Sequence, residues 1–330
     1  MRKLINGPAD FADETINALL RAHDELTAVD DDCRVVVRSD RKDGRVGILT
    51  GGGSGHLPLF VGYVGEGLCG GAVIGNVFSS PSSDQVFAAT QALDTGAGVL
   101  YIYGNYGGDI LNFNLGADLA ELEDIDVRTV IVHDDVLSAP AERADSRRGV
   151  AGLALVYKCA GAAAESGGDL AEVTRVAEKA SANVLSAGVG LAPTILPTTG
   201  EPSFTLDDGE MEVGIGIHGE PGRERKKIAP ANEVTAELLG PIVTELGLAA
   251  GDRTALLVNG LGATPLEELY LVADAVHEHF AELGVTIGRQ WVGEYATSLE
   301  MAGASITVMR IDEELEHLLN APSSSPLVRF

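Results

Sequence analysis

The chain has 330 residues, 45% of them hydrophobic, and three scattered cysteines (Cys33, Cys69, Cys159) without C-x-x-C spacing. It is long enough for two domains and can bury roughly 75% of the surface an unfolded chain exposes. That excludes a disordered protein or a disulfide-stapled one and fits reduced thiols in a cytosol. Its 49 acidic and 23 basic residues, only six of them lysine, give a net charge of −26 spread along the chain rather than gathered in a tail. Such a coat excludes nucleic-acid binding, which needs basic patches, and it fits either a cationic partner or, as we read it, a halophilic protein whose self-repulsion is screened by salt.

Asp10, Asp13 and Glu14 interrupt the N-terminal segment, so no signal-peptide core forms. The most apolar helical stretch, 150–164, contains Lys158 and is too short to span a bilayer. The expectation is a soluble, cytoplasmic protein. From residue 45 to 135 short apolar runs at 45–50, 72–75, 99–103 and 128–132 read as buried strands. Between them, 84–93 and 110–123 have helical spacing, with Ser82, Ser83 and Asp109 as possible N-caps. This alternation predicts a mainly parallel, three-layer sheet with ligands beyond the carboxyl ends of its strands, at 51–56, 76–81, 104–109 and 133–135. Helices at 150–165 and 169–182 follow, and a Gly-, Pro- and Thr-rich stretch at 186–200 places a boundary near 185. The expected organisation is an N-terminal α/β domain over 1–184 and a C-terminal α/β domain over 185–330. The second carries strands at 210–217, 254–258, 288–292 and 305–309, in a mixed sheet covered by helices at 265–283 and 313–319.

Three segments are candidates for chemistry. Gly51-Gly52-Gly53-Ser54-Gly55-His56 follows a strand; it is either a plain tight turn or a stretch of backbone that lets a small ligand approach closely. It matches no dinucleotide fingerprint, Walker A loop or nucleophile elbow, and no other segment supplies a phosphate loop. Asn105-Tyr106-Gly107-Gly108-Asp109 lies at the same sheet edge, and Asp109 is either a helix cap or a functional carboxylate. In Met211–Gly222 the alternation puts Met211, Val213, Ile215 and Ile217 on one face and Gly214, Gly216 and His218 on the other. A glycine face ending in an imidazole predicts open space beside a potential nucleophile, although a strand-end histidine also serves as a structural hydrogen-bonding residue. His23, His277, His279 and His317 have weaker cases, and His133-Asp134-Asp135 is a further candidate contact for a ligand or partner.

Taken together, the segments resemble the substrate-binding subunit of dihydroxyacetone kinases. The resemblance rests on LINGP at 4–8, GGGSGH at 51–56, GYVGEG at 62–67, NVFSSPSSDQV at 76–86 and GDILNF at 108–113. It continues through RRGVAG at 147–152, KCAGAAAE at 158–165, PSFTL at 202–206, MEVGIGIHGEPG at 211–222 and LGATPLEELY at 261–270, in order over nearly the whole chain. It implies that His218 adds to the ketone of dihydroxyacetone to give a covalent hemiaminal. Asp109 and His56 then handle the protons of substrate hydroxyls, and Gly53, Ser54, Gly55 and Gly104 line the sugar. It also implies a homodimer that holds no nucleotide or other cofactor and no metal. ADP or ATP with magnesium belongs to a separate nucleotide-binding subunit, recharged by a phosphocarrier protein in phosphotransferase-linked systems.

The chain departs from the family pattern twice. The usual Lys-Asn-Tyr-Thr-Gly-Asp reads Gly104-Asn105-Tyr106-Gly107-Gly108-Asp109, and the usual Gly-His-Glu-Pro reads Gly55-His56-Leu57-Pro58. Gly104 and Gly107 are expected to widen the pocket toward larger ketoses such as erythrulose. Two rival readings stand beside the kinase subunit. One is a non-catalytic ketose-sensing paralogue; the other is a metal enzyme using His56, His218 and Asp109 as a two-histidine, one-carboxylate set.

Overall fold

The computed structural model describes residues 3–330. The helix α1 (Phe11–Ala22) leads into β1 (Leu26–Val29), β2 (Asp32–Arg38), β3 (Gly47–Ser54), β4 (Gly71–Val77), β5 (Val99–Gly104) and β6 (Val127–Val132). These form one six-stranded sheet in the order β1-β2-β4-β3-β5-β6. The central β4, β3, β5 and β6 run parallel, and β2 and β1 are added antiparallel at one edge.

Alternate residues of each strand enter opposite cores, as a pleated sheet requires. Val35, Val37, Leu49, Val73, Tyr101 and Tyr103 pack under α2 (Ser83–Leu93) and α3 (Gly107–Glu121). Val36, Ile48, Ala72, Ile74, Leu100 and Ile102 face the other way, toward α4 (Leu153–Glu165) and α5 (Leu170–Ala182). The helix α2 begins with a reciprocal capping box between Ser82 and Gln85, which satisfies two otherwise orphaned backbone donors.

The remaining strands are β7 (Val184–Ala192), β8 (Glu210–Val213), β9 (Glu224–Lys227), β10 (Arg253–Gly260), β11 (Thr286–Gly293) and β12 (Ala302–Ile311), in the order β11-β10-β12-β7-β8-β9. Only β10 and β11 pair in parallel, so this sheet is mixed. Leu185, Val189, Met211, Leu256, Val258 and Ile306 face α6 (Ala231–Leu246) and α7 (Leu266–Leu283). On the opposite face Leu257, Met309 and Ile311 join the core of the first sheet through α8 (Glu313–Asn320) and α4. Lys158 of that shared helix is fully buried and donates to the carbonyls of Leu318 and Ala321 at 2.9 and 2.8 Å, closing the C-terminus of α8. Among the described residues, no helix is long and apolar enough to cross a membrane.

Two boundaries differ from those expected of the sequence, in ways that matter for the site. β3 continues to Ser54, so the glycine run is the end of a strand, not a loop after it. β8 stops at Val213, not at residue 217. Gly214 takes φ +80°, its N–H goes to Gly188 O at 2.7 Å, and the chain turns back toward β9 with Arg223 N–H on Val213 O. Ile215 and Ile217 remain buried beyond that turn, which is why the apolar alternation outlasts the strand.

Candidate functional site

The end of β3 is crowded rather than open. A Cβ on Gly52 would lie 2.3 Å from the Phe60 ring, and one on Gly53 would lie 2.6 Å from the backbone nitrogen of Ser79. Only glycine permits this approach. Ser54 Oγ is committed to Gly75 O at 2.6 Å. Beyond it His56 is buried, and its Nδ1–H donates to Thr297 O at 2.7 Å. The same segment between β11 and β12 holds the loop through Leu299 N–H on Gly55 O (2.7 Å) and Thr297 Oγ1 on Leu57 O (2.8 Å). A carbonyl only accepts, so the His56 proton sits on Nδ1 and a lone pair on Nε2. That Nε2 is buried without a hydrogen-bond partner among the described residues. Burial, with the nearby His218, pushes the His56 pKa down to about 3, so the ring is neutral.

His218 occupies the turn between β8 and β9. Its ring lies 4.8 Å from those of His56 and Tyr106 and 5.2 Å from that of Phe78, centroid to centroid. Phe78 in turn stacks on His56 at 4.9 Å. Unlike His56, the His218 side chain keeps 22% of its exposure, so it is reachable. Its Nδ1–H donates to Glu220 Oε1 at 2.8 Å, and its backbone N–H donates to Glu220 Oε2 at 3.0 Å. The space expected beside the glycine face is taken: a Cβ on Gly216 would meet Glu220 Oε2 at 2.0 Å and Arg148 Nη1 at 2.5 Å.

Asp109 lies in the first turn of α3. The N-cap position is Tyr106, and that end carries no side-chain cap, so Asp109 does not cap the helix. Its carboxyl is buried, with Oδ1 unpartnered among the described residues. Burial raises its pKa to about 6, outweighing a hydrogen bond from Ser80 and the proximity of His218. The expected widening at Gly104 does not occur, because a Cβ there would meet Tyr106 Cε2 at 3.1 Å and Gly149 O at 3.2 Å. The Tyr106 ring fills that space. Gly107 is open, since a Cβ there would have no neighbour within 4 Å.

His56, Asp109 and His218 thus come from three connections of both sheets to one place. Gly53, Ser54, Gly55 and His56 also line a cavity of about 210 Å³ closed by Phe11 and Ile16 of α1; neither His218 nor Asp109 forms part of its wall. Asp134 is absorbed by structure: it accepts from Val150 and Gly152 N–H, both at 2.8 Å, and from the Ser186 hydroxyl, at the start of α4. Asp135 holds Arg148 at 2.8 Å, and Arg148 donates to Gly214 O at 2.7 Å, bracing the His218 turn. Among the described residues no group of three His, Cys, Asp or Glu is placed to hold a metal ion. Phe78, Tyr106, Glu220 and Thr297 do not stand out from the sequence. All but Thr297 sit within or beside the recognised segments, but nothing in their spacing shows that they converge.

The family model of the Dak1 domain matches residues 17–327. The dihydroxyacetone-binding subunit of a PTS-dependent dihydroxyacetone kinase from Listeria innocua is 45% identical, over 95% of this chain and 95% of its own length. The L-erythrulose 1-kinase of Mycolicibacterium smegmatis is 44% identical over 100% of this chain, which spans 58% of that enzyme. Among solved structures, a dihydroxyacetone kinase operon co-activator superposes with a TM-score of 0.88 at 34% identity, covering 94% of this chain and 96% of that one. Such identity over almost the full length goes well beyond a shared fold, and the chain belongs to the Dak1 family of dihydroxyacetone kinase proteins.

Proposed function

We propose that this chain binds dihydroxyacetone covalently on His218 and presents it for phosphorylation by a separate nucleotide-bearing subunit. The observation that carries the reading is the accessible His218 ring, set 4.8 Å from the buried His56 ring and near enough to Asp109 to influence its carboxyl. A ring-nitrogen lone pair forms the bond to C2 while the carbonyl π pair moves to oxygen. That oxygen gains a proton and the ring loses one, so the neutral adduct has the same atoms as imidazole plus ketone. Covalency anchors a molecule too small to be held tightly by contacts alone.

In the transfer step a substrate hydroxyl attacks the terminal phosphorus of ATP, the bond from that phosphorus to the bridging oxygen breaks with ADP left on the partner subunit, and the hydroxyl proton goes to Asp109. The His56 Nε2 lone pair accepts a second substrate hydroxyl, and the backbone of Gly53–Gly55 supplies the remaining wall. Gly104 acts only through the placement of Tyr106. ADP or ATP and its magnesium belong to the partner subunit, which a phosphocarrier recharges; this chain works as a cytoplasmic homodimer. The Listeria relative, a dihydroxyacetone-binding subunit matched over 95% of its length, supports this division of labour. The co-activator relative supports a second reading, a ketose sensor with no turnover. Reconstitution with the partner subunit separates the two.

The direct test is a structure with bound dihydroxyacetone. Continuous density from His218 to C2 is expected; an ordered ketone at van der Waals distance overturns the covalent reading. Glycerol keeps the hydroxyls but lacks the electrophilic carbon, so it should bind far more weakly, and His218→Ala should narrow that gap. Borohydride should not trap the sugar, because a ring nitrogen already bonded to carbon cannot proceed to a neutral imine.

A further inference from the structure

We infer that Glu220 is the positioning residue of the site: it fixes the His218 ring with its proton on Nδ1, aims Nε2 at the ketone, and neutralises the charge that the ring acquires on forming the adduct. This rests on the proposed covalent role of His218.

The geometry is specific. One carboxylate oxygen of Glu220 accepts the ring Nδ1–H at 2.8 Å and the other accepts the backbone N–H of the same residue at 3.0 Å. The side chain therefore clamps both ends of His218 and limits rotation of the ring. A carboxylate accepts and never donates, so the Nδ1 lone pair is excluded from reaction and the Nε2 lone pair is exposed. The clamp has its own support. Gly216 leaves the volume the carboxylate occupies, since a Cβ would lie 2.0 Å from Oε2. Arg148, held by Asp135 and by Gly214 O, lies against the same place. Glu220 is partly buried, yet the hydrogen bond from His218 and the neighbouring charges hold its carboxyl well below the usual carboxylate range, against the effect of burial.

The chemistry requires such a group. When Nε2 bonds to C2, the ring bears a positive charge until the Nδ1 proton departs, while the former carbonyl oxygen bears a negative charge until it is protonated. Glu220 lies on the Nδ1 proton and stabilises, or accepts, it. Asp109, whose buried carboxyl has its pKa raised to about 6, is placed to supply the oxygen's proton. No further reactant is needed.

The test uses the full chain labelled with nitrogen-15 in histidine. Long-range proton–nitrogen spectra of the unliganded protein, assigned with His218→Ala, should show His218 as the Nδ1–H tautomer. Bare Nδ1 with a protonated Nε2 overturns the inference without involving any ligand. Glu220→Ala should lose the tautomer preference and weaken the ketone adduct on the order of 10–100-fold, the range for a hydrogen bond to a charged group. Glu220→Gln, which still accepts from Nδ1–H but carries no charge, should keep the tautomer and recover only part of the affinity. Full adduct affinity in a folded Glu220→Ala protein also overturns the inference. If the wild-type protein shows the Nδ1–H tautomer but forms no adduct, the covalent function fails and the positioning does not.

Discussion

Replacing Asp109 by Asn should make the protein more stable and the kinase slower. The carboxyl is buried, and its pKa is raised from the ordinary 3.8 to about 6. A raised carboxylate pKa means that folding favours the protonated form. The favourable contribution is complete below pH 3.8, declines as pH rises toward 6, and is absent above it. Keeping Asp109 ionised at pH 8 therefore costs about 3 kcal/mol at most. Asn carries no charge and escapes that cost. Its amide must still find partners, so about 1–2 kcal/mol is the working expectation, a rise in melting temperature of about 1.5–3 °C for a chain this large. Melts of wild type and Asp109→Asn at pH 8 and pH 5 measure it: the gap should be widest at pH 8 and shrink by pH 5. In the reconstituted kinase the same substitution should cut turnover about 10²-fold or more while ketone binding persists. Equal stability of the two proteins at pH 8 would show that the carboxylate is not strained. Unchanged turnover would remove Asp109 from the chemistry.

Three further outcomes are expected. The isolated chain should show no micromolar ATP binding by calorimetry, since no phosphate loop is present in its sequence; a measured isotherm would move the nucleotide onto this subunit. Because a 44%-identical relative is an L-erythrulose 1-kinase and a Cβ on the exposed Gly107, two residues from Asp109, would meet nothing within 4 Å, erythrulose should compete with dihydroxyacetone at similar affinity, and Gly107→Leu should weaken erythrulose at least tenfold more than dihydroxyacetone. With a net charge of −26, the melting temperature should rise between 0.1 and 1 M KCl as the screening length falls from about 10 to about 3 Å; a flat or falling curve would refute the high-salt reading.

The inner parallel strands were legible because they carry apolar runs buried on both faces; β5, Val99–Gly104, is buried at every position, whereas the edge strand β6 leaves Arg128 and Thr129 exposed. The end of β3 was not, because Gly51–Gly53 have no side chains to alternate and so look like loop. Around β8 the error ran the other way: Met211, Val213, Ile215 and Ile217 are all buried, but strand pairing ends where Gly214 turns left-handed. β9 reads Glu-Arg-Lys-Lys, a polar edge strand with no apolar face to announce it, and α6 contains Gly240 and Pro241. His56, Asp109 and His218 stood out because they fall inside recognisable segments. Glu220 lies two residues from His218 and still could not be assigned, because its role depends on a turn that bends it back onto the ring.

What the turn and the glycines accomplish together is to hold the site in a conformation the chain does not favour locally. Phe60, Phe78 and Leu299, all non-glycine, have left-handed backbones with φ of 69°, 55° and 52°, each costing about 1–3 kcal/mol. All three surround the His56 loop: Phe60 and Phe78 pack on its ring, and Leu299 bonds Gly55. The ionised Asp109 adds its own cost. Both rings keep a lone pair on Nε2 only because an acceptor from elsewhere occupies Nδ1: the Thr297 carbonyl for His56 and the Glu220 carboxylate for His218. Thr297 belongs to the β11–β12 connection and His56 follows β3 of the first sheet, so the tautomer of His56 depends on the two sheets staying in register. Loosening the Thr297–Leu299 segment should therefore damage proton handling before it affects the global fold. The core through α4, where every residue from Leu153 to Ala164 is buried, holds the sheets together independently of that segment.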